Sequence, residues 1–310
     1  MAEVTILLAA YRGGTYIAGQ IDSILAQTFS DWELVISDDG EQTGEVLDRY
    51  EKEHPDRIRR LHAGRRFGSA QKHFLWLTGQ CAGSEYLMYC DQDDRWHPDK
   101  IEKTRNKMKE LEAHAGSDKP LLVHTDLCVV DADMELLSPS FWKYSRLDGS
   151  RLALNELAVQ NVVTGCTVMI NRALAQKALA GAQEPAMLMH DWWFALTAAA
   201  FGEAACLPEA TMDYRQHGGN TVGAKNAGSL KYILEKLRGG SMRQALIDTA
   251  AQAGAFADCY EAELSPEQLA MLRAFAACPG ASRRERRAVY SRYGLWKNDL
   301  RRRIGQRLWW

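Results

Sequence analysis

The segment Tyr89-Cys90-Asp91-Gln92-Asp93-Asp94-Arg95-Trp96 gathers three carboxylates, Asp91, Asp93 and Asp94, directly behind an apolar run with the length and composition of a buried strand. In open α/β sheets ligands bind in the crevice beyond the carboxyl ends of the strands, so these acids stand where a ligand would. Three like charges packed there call for a cation. Hard ions such as Mg²⁺ and Mn²⁺ are held by one or two carboxylates together with substrate phosphates, which points to chemistry on a nucleoside diphosphate. An acidic turn capping the helix that opens near Pro98 would use the same residues.

Two further strand ends supply matching groups. The first carries Ala9-Ala10-Tyr11-Arg12-Gly13-Gly14 with Tyr16 close behind, where glycines admit a ligand to the backbone and a tyrosine can stack on a base. The second carries Ser37-Asp38-Asp39-Gly40, whose acids can accept the ring N–H of uracil or thymine, or a ribose hydroxyl. Either segment alone reads equally well as a turn. Further along stand Met189-His190-Asp191-Trp192-Trp193, opening an apolar helix, and Tyr214-Arg215-Gln216-His217-Gly218-Gly219-Asn220, following a strand.

The elements that must position these groups alternate in type. Strands are expected over Val4–Ala10, Trp32–Ser37, Ile58–His62, Tyr86–Cys90 and Leu121–Thr125. Helices are expected over Tyr16–Gln27, Thr43–His54, Ala70–Cys81 and Pro98–Ala113. This βαβ rhythm requires a parallel sheet with crossover helices. In the middle, Val162–Ile170 and Ala204–Leu207 read as strands, and Ala173–Ala180 and Asp191–Phe201 as helices. Beyond Ser229 strand signals give way to helical periodicity, with a capping-box start at Ser265-Pro266-Glu267-Gln268. The expected division is a domain over 1–224 and a helical extension over 225–310.

The chain has 310 residues, 46% hydrophobic and 25% charged, enough for a sizeable core. Its net charge of -2 gives no case for nucleic-acid binding. Seven cysteines without a CxxC pair argue against a disulfide framework or a zinc site and suit a reducing compartment. The N-terminus lacks a signal-peptide pattern, and the chain lacks an apolar run long enough to span a bilayer. From Arg283 to Trp310, arginines interleave with Tyr290, Tyr293, Trp296, Trp309 and Trp310. Such a tail suits either an anionic membrane surface or a solvated helix with one packed face, and the expected location is cytoplasmic, peripheral on the inner face of the membrane.

Three segments carry a family resemblance: Leu8-Ala9-Ala10-Tyr11-Arg12-Gly13-Gly14-Thr15-Tyr16-Ile17, Gln20-Ile21-Asp22-Ser23-Ile24-Leu25-Ala26-Gln27-Thr28-Phe29, and Trp32-Glu33-Leu34-Val35-Ile36-Ser37-Asp38-Asp39-Gly40. With Asp91-Gln92-Asp93-Asp94-Arg95-Trp96 as a DxD-type motif, the first 225 residues or so resemble the family-two inverting glycosyltransferases. The resemblance implies a GT-A fold: α/β, with a mixed, mostly parallel central sheet flanked by helices, here followed by the helical extension. It places Ala9, Tyr11, Asp38, Asp39 and Asp91 around the nucleotide. Asp93, with Asp91 and His217, would hold Mg²⁺ or Mn²⁺, and Arg215 and His217 would bind the diphosphate. Asp191 would be the general base. Thr164, Gly165 and Trp192 would border the acceptor. Some members carry a polar residue where Ala9 stands, so a base contact there would come from the backbone.

The His190-Asp191-Trp192-Trp193 and Tyr214-Arg215-Gln216-His217-Gly218-Gly219-Asn220 segments are most similar to rhamnosyltransferase-like members. The implied reaction transfers L-rhamnose from dTDP-rhamnose to a hydroxyl of a bacterial surface polysaccharide or lipid-linked glycan. A UDP-sugar is the alternative donor, since uracil and thymine present the same N3–H. More remote alternatives are a sugar-nucleotide pyrophosphorylase, whose extended glycine-rich basic signature is missing after the first strand, and a non-catalytic carbohydrate-binding module.

Overall fold

The run Val4-Thr5-Ile6-Leu7-Leu8-Ala9-Ala10 shows no polar alternation because it lies inside a sheet covered on both faces. In the computed structural model, which describes residues 2–40, 43–182, 186–217 and 241–308, it forms β1 (Val4–Ala10). The elements α1 (Ile17–Leu25), β2 (Trp32–Asp38), α2 (Gly44–Glu53), β3 (Ile58–Arg60), α3 (Ala70–Cys81) and β4 (Tyr86–Cys90) continue the alternation. Next come β5 (Arg95–Trp96), α4 (Lys100–Ala115), β6 (Leu121–Val130), β7 (Leu136–Ser138), α5 (Phe141–Ser145), α6 (Leu154–Val159), β8 (Val168–Asn171), α7 (Arg172–Ala180), α8 (His190–Phe201) and β9 (Glu203–Arg215). Four helices close the described chain: α9 (Ser241–Cys259), α10 (Pro266–Ala276), α11 (Arg283–Tyr293) and α12 (Leu300–Leu308).

The strands pair in the order β3-β2-β1-β4-β8-β6-β9-β5, with β7 on β6. β3, β2, β1, β4, β6 and β9 run one way, and β8, β5 and β7 run the other, so the sheet is mixed and mostly parallel. Register then decides what meets at the edge. Ala10 lies beside Asp38 and Leu8 beside Cys90, so the residues following β1, β2 and β4 emerge together at one end of the sheet.

Alternate residues feed two cores. Leu7, Leu87 and Tyr89 face α3, α6, α7 and α8, whereas Ile6, Leu8, Met88 and Cys90 face α1 and α4. The C-terminal helices join the first core. In α9, Leu246, Ala250, Ala253 and Ala257 recur at helical spacing and bury against the apolar face that includes Trp193 and Phe194 of α8. The Phe256 ring meets the Trp193 indole edge-on at 5.1 Å. The boundary expected at 224/225, and the loop Gly218–Gly223, lie outside the described residues.

The strand expected over Leu121–Thr125 continues to Val130, and β5, β7, α5 and α6 lie outside the expected elements. Three further differences have a local reason. Val162–Ile170 is not one strand: Gly165–Thr167 is a 3₁₀ turn and β8 starts at Val168. Asn161 hydrogen-bonds both the N–H and the carbonyl of Val163, and the Thr167 hydroxyl donates to the Thr164 carbonyl, so side chains take backbone groups a ladder would need. β9 runs on through Pro208 because the register against β6 shifts between Thr125 and Asp126, which frees the proline from the ladder. α7 starts one residue earlier than expected, since Asn171 caps it by accepting from the Leu174 N–H. The capping box at Ser265 and Gln268 forms as expected.

Phe256 ties α9 to α8. Phe256→Ala should lower the unfolding free energy by about 3–5 kcal/mol, read as a shifted urea midpoint in circular dichroism.

Candidate active site

The carboxyl ends of β1, β2 and β4 deliver Tyr11, Asp39 and Asp91 to one crevice, and β9 brings Arg215 and His217 to it from across the sheet. Tyr11 is 51% exposed, the most open aromatic ring at this edge. Its backbone is held by Gln92, whose amide accepts from the Tyr11 N–H at 2.8 Å and donates to the Tyr11 carbonyl at 2.7 Å. Gly13 makes this clasp possible, because a Cβ there would stand 2.2 Å from the Gln92 Oε1. Ala9, half-buried near the end of β1, packs against the first core.

Asp38 and Asp39 have different surroundings. Asp38 turns back on its own loop, accepting from the Gly40 N–H at 2.8 Å and from the Thr43 hydroxyl. Burial raises its pKa. Asp39 reaches outward and accepts from the backbone N–H of Phe67 at 2.9 Å and of Gly68 at 3.2 Å. That loop is closed by Phe67 stacking on buried His73 at 4.5 Å.

The acidic loop is more crowded than its spacing suggests. Asp91 is pushed up to about 7 by burial, then by the charges of Asp93 and Asp191. Asp94 is buried and held well above the usual carboxylate range by burial, then by the charges of Asp91 and Asp93; one oxygen accepts from the Arg215 N–H at 3.1 Å, and the other has no partner among the described residues. Asp93 lies 2.7 Å from the His217 Nε2, bringing together the two residues expected to share a metal. Asp91, Asp94 and Cys166 also place one ligand atom each within 4.8 Å of one another. Carboxylate oxygens, an imidazole nitrogen and an unpartnered buried oxygen fit a divalent cation such as Mg²⁺ or Mn²⁺, with Asp94 closer to the centre than its sequence position implies.

Arg215 braces this corner. Its Nε donates to the Asp93 carbonyl at 2.9 Å, its Nη1 donates to the Ala132 carbonyl at 2.7 Å, and its guanidinium covers the Tyr16 ring at 4.6 Å. Tyr16 also lies 5.0 Å from the His217 ring, so it packs beneath the basic pair.

Asp191 occupies the first turn of α8, buried, with one oxygen accepting from the Trp192 N–H at 2.7 Å. Burial raises it to about 7, opposed by hydrogen bonds from Trp192, Gly165 and Asn161. Thr164 and Gly165 therefore border Asp191, and a Cβ on Gly165 would lie 3.2 Å from the His190 ring. His190 itself is buried among Phe74, Tyr89 and Phe194 and stays neutral, pushed down to about 3 by burial. Trp192 is half-buried and donates its indole N–H to the Leu157 carbonyl at 2.7 Å, which anchors α8 to α6. The clasp formed by Gln92 was not foreseen from the sequence, because an amide inside an acidic run carries no distinctive pattern. Asn161 and Cys166 belong to the segment 161–166 that resembles an acceptor-pocket border, but their approach to Asp191 and to Asp91 and Asp94 emerges only in the structure.

Comparison with known proteins agrees with this geometry. Residues 5–119 match the pattern of Glycosyl transferase family 2. An uncharacterized glycosyltransferase of Nostoc sp. is 30% identical over 105 residues, covering 33% of this chain and 31% of that protein. A dTDP-rhamnosyl transferase of Shigella flexneri is 25% identical over 235 residues, covering 73% of this chain and 76% of the relative. The chain thus spans about a third of the first relative's length. Among solved structures, S. aureus TarS in complex with UDP-GlcNAc superposes with a TM-score of 0.55 at 16% identity, covering 95% of this chain and 93% of that one. The fold is GT-A.

The two raised carboxyls make a test of this crowding. A carboxyl at about 7 in the folded chain, against about 3.9 unfolded, contributes stability that is complete below the lower value and lost as pH rises through the higher. Asp91→Asn should therefore raise the melting temperature of the metal-free protein at about pH 8 and flatten its fall above about pH 5, while abolishing the upward shift produced by Mn²⁺. Thermal melts across pH, with and without Mn²⁺, read both effects.

Proposed function

We propose that this chain is an inverting, divalent-metal-dependent glycosyltransferase that moves a sugar from a pyrimidine nucleoside diphosphate to a hydroxyl of a glycan or lipid-linked acceptor. The observation that carries the reading is the placement of Asp191. It is a single buried carboxylate at a helix N-terminus, set against the Asn161–Gly165 segment and close enough to Asp91 to raise its pKa.

Each residue has a part in this scheme. The base and ribose lie along Ala9, Tyr11, Asp39 and Asp91, with Asp38 shaping the turn. Asp93, Asp91 and His217, supported by Asp94, would hold Mg²⁺ or Mn²⁺, which when bound neutralises charge on the diphosphate oxygens. Arg215 adds a fixed positive charge where the leaving group gains negative charge, and a preorganised charge acts there without reorganisation. Asp191 takes the proton of the acceptor hydroxyl while that oxygen attacks the anomeric carbon from the face opposite the diphosphate. One displacement of this kind inverts the centre. The Thr164–Gly165 backbone and the ring of Trp192 border the acceptor. Residues 1–224 form the nucleotide-sugar unit, and 225–310 form its helical extension.

A UDP-sugar is the preferred donor, supported by the likeness of the fold to TarS with UDP-GlcNAc. The second reading, dTDP-rhamnose, is favoured by the Shigella relative over most of both chains. A panel of nucleotide sugars decides between them. Asp191→Asn should cut turnover by about 10²–10⁴-fold while donor binding is retained, and activity of the native protein should fall on the acid side of about pH 7 as the base is protonated. Undiminished turnover in that variant would remove Asp191 as the base.

The C-terminal tail gives a narrower membrane proposal than its composition suggests. Tyr290 and Leu295 are buried, Trp296 packs on Tyr290 at 5.5 Å, and Arg302 donates to the carbonyls of Ser145 and Arg146. What remains outward on α12 is Leu300, 67% exposed, and Ile304, 45% exposed, beside exposed Arg301 and Arg307. No helix among the described residues is long and apolar enough to cross a membrane. This face suits the surface of an anionic bilayer. The double variant Leu300→Glu/Ile304→Glu should lose co-sedimentation with phosphatidylglycerol vesicles while keeping its melting temperature; equal sedimentation of variant and native chain refutes the contact.

A further inference from the structure

A second cluster of ligand-type side chains lies outside the donor crevice. The register of the sheet brings Cys128 of β6 next to Asp213 of β9, and Arg95 of β5 next to Asp213 on its other side. His97 follows β5 immediately. As a result His97, Cys128 and Asp213 each place a ligand atom within 4.8 Å of the others.

The orientation of each group is already that of a metal ligand. The His97 Nδ1 lies 3.2 Å from the Ala210 carbonyl, an acceptor that can hold an N–H there and leave Nε2 as the nitrogen to coordinate once its own proton is displaced. That Nε2 stands 3.0 Å from one oxygen of Asp213. The other oxygen accepts from the Arg95 guanidinium at 2.9 and 2.7 Å, which holds the carboxylate as an outer-shell partner would. The Cys128 thiol is partly accessible and makes one long hydrogen bond, to the Pro139 carbonyl at 3.8 Å.

We infer that His97, Cys128 and Asp213 form a binding site for a zinc-type divalent ion, distinct from the site of Asp91 and Asp93. One sulfur, one imidazole nitrogen and one carboxylate oxygen are a borderline-soft set that selects Zn²⁺ over Mg²⁺ or Mn²⁺, and three protein ligands leave a fourth position for water. Binding replaces the His97–Asp213 hydrogen bond, so the proton on His97 Nε2 and the proton of the Cys128 thiol are both released to solvent. The ion would tie β5 and β6 to β9, the strand that leads into Arg215 and His217. This site differs from the sequence expectation that the scattered cysteines argue against a zinc site, because its ligands come from β6, β9 and the residue after β5, with no close spacing.

Cobalt reports the site without reference to activity. The purified full chain, stripped with chelator and titrated with Co²⁺ alone, should show a thiolate-to-cobalt charge-transfer band. Cys128→Ser should abolish it, and His97→Gln should weaken Zn²⁺ displacement of the cobalt by at least about tenfold. Circular dichroism and thermal melts establish that both variants are folded. Cys166→Ser and Asp93→Asn should leave the band intact. The inference is overturned if the native chain gives no such band, or if the band survives Cys128→Ser and disappears in Cys166→Ser.

Discussion

Like-charge crowding at one end of the sheet is the constraint around which the rest of this structure is arranged. Asp91, Asp93, Asp94 and Asp191 converge there because β4 ends beside β1 and α8 starts against the turn after Asn161. None of these charges is neutralised by an ion pair with a lysine or arginine side chain among the described contacts; Arg215 instead donates to the carbonyl of Asp93. Burial therefore holds Asp91 and Asp191 near neutral pH, with repulsion from Asp93 and Asp191 adding to it at Asp91, and each is poised between its charged and uncharged forms. An arrangement of this kind costs stability in the isolated chain and is stabilised by whatever cation or proton it binds.

The fold moderates the repulsion with dipoles where it can. Asp39 accepts from the N–H groups of Phe67 and Gly68, Asp94 from that of Arg215, and Asp191 from that of Trp192 at the N-terminus of α8. Backbone donors and a helix end favour ionised carboxylates without placing a mobile counter-charge in the crevice. Asp91 receives least of this help and is the acid most dependent on a ligand. His190, next to Asp191 in sequence, is spent on packing between Phe74, Tyr89 and Phe194, so adjacent residues divide into one chemical and one structural role.

Much of this was legible in the chain itself. Strands β1 and β4 and helix α3 fall where their apolar patterns place them, since buried parallel strands and amphipathic helices write their own periods into sequence. The acids at 39, 91, 93 and 191 were visible as charge interrupting apolar runs. Side-chain competition for backbone groups was not: nothing in Asn161 or Thr167 announces that they break a strand. The partnership of Gln92 with Tyr11 and that of His97 with Cys128 and Asp213 depend on pairings between residues far apart in the chain, which only the sheet register reveals.

Those long-range pairings explain how so charged a loop keeps one conformation. On one side Gln92 clasps both backbone groups of Tyr11, a contact that any side chain at Gly13 would obstruct. On the other, Arg95 and Trp96 pair antiparallel with Asp213 and Met212, and side chains extend the contact: Arg95 to Asp213, His97 to Asp213, the Asp94 carboxylate to the Arg215 N–H, and Asp93 to His217. Only the last of these contacts and the Asp94 carboxylate involve groups that a donor-site cation would recruit. The Gln92 clasp and the Arg95–Asp213 pair use none of those groups. The loop can therefore exchange its innermost contacts for a cation and a diphosphate while its outer contacts keep the carboxylates in place, which limits the reorganisation that binding requires.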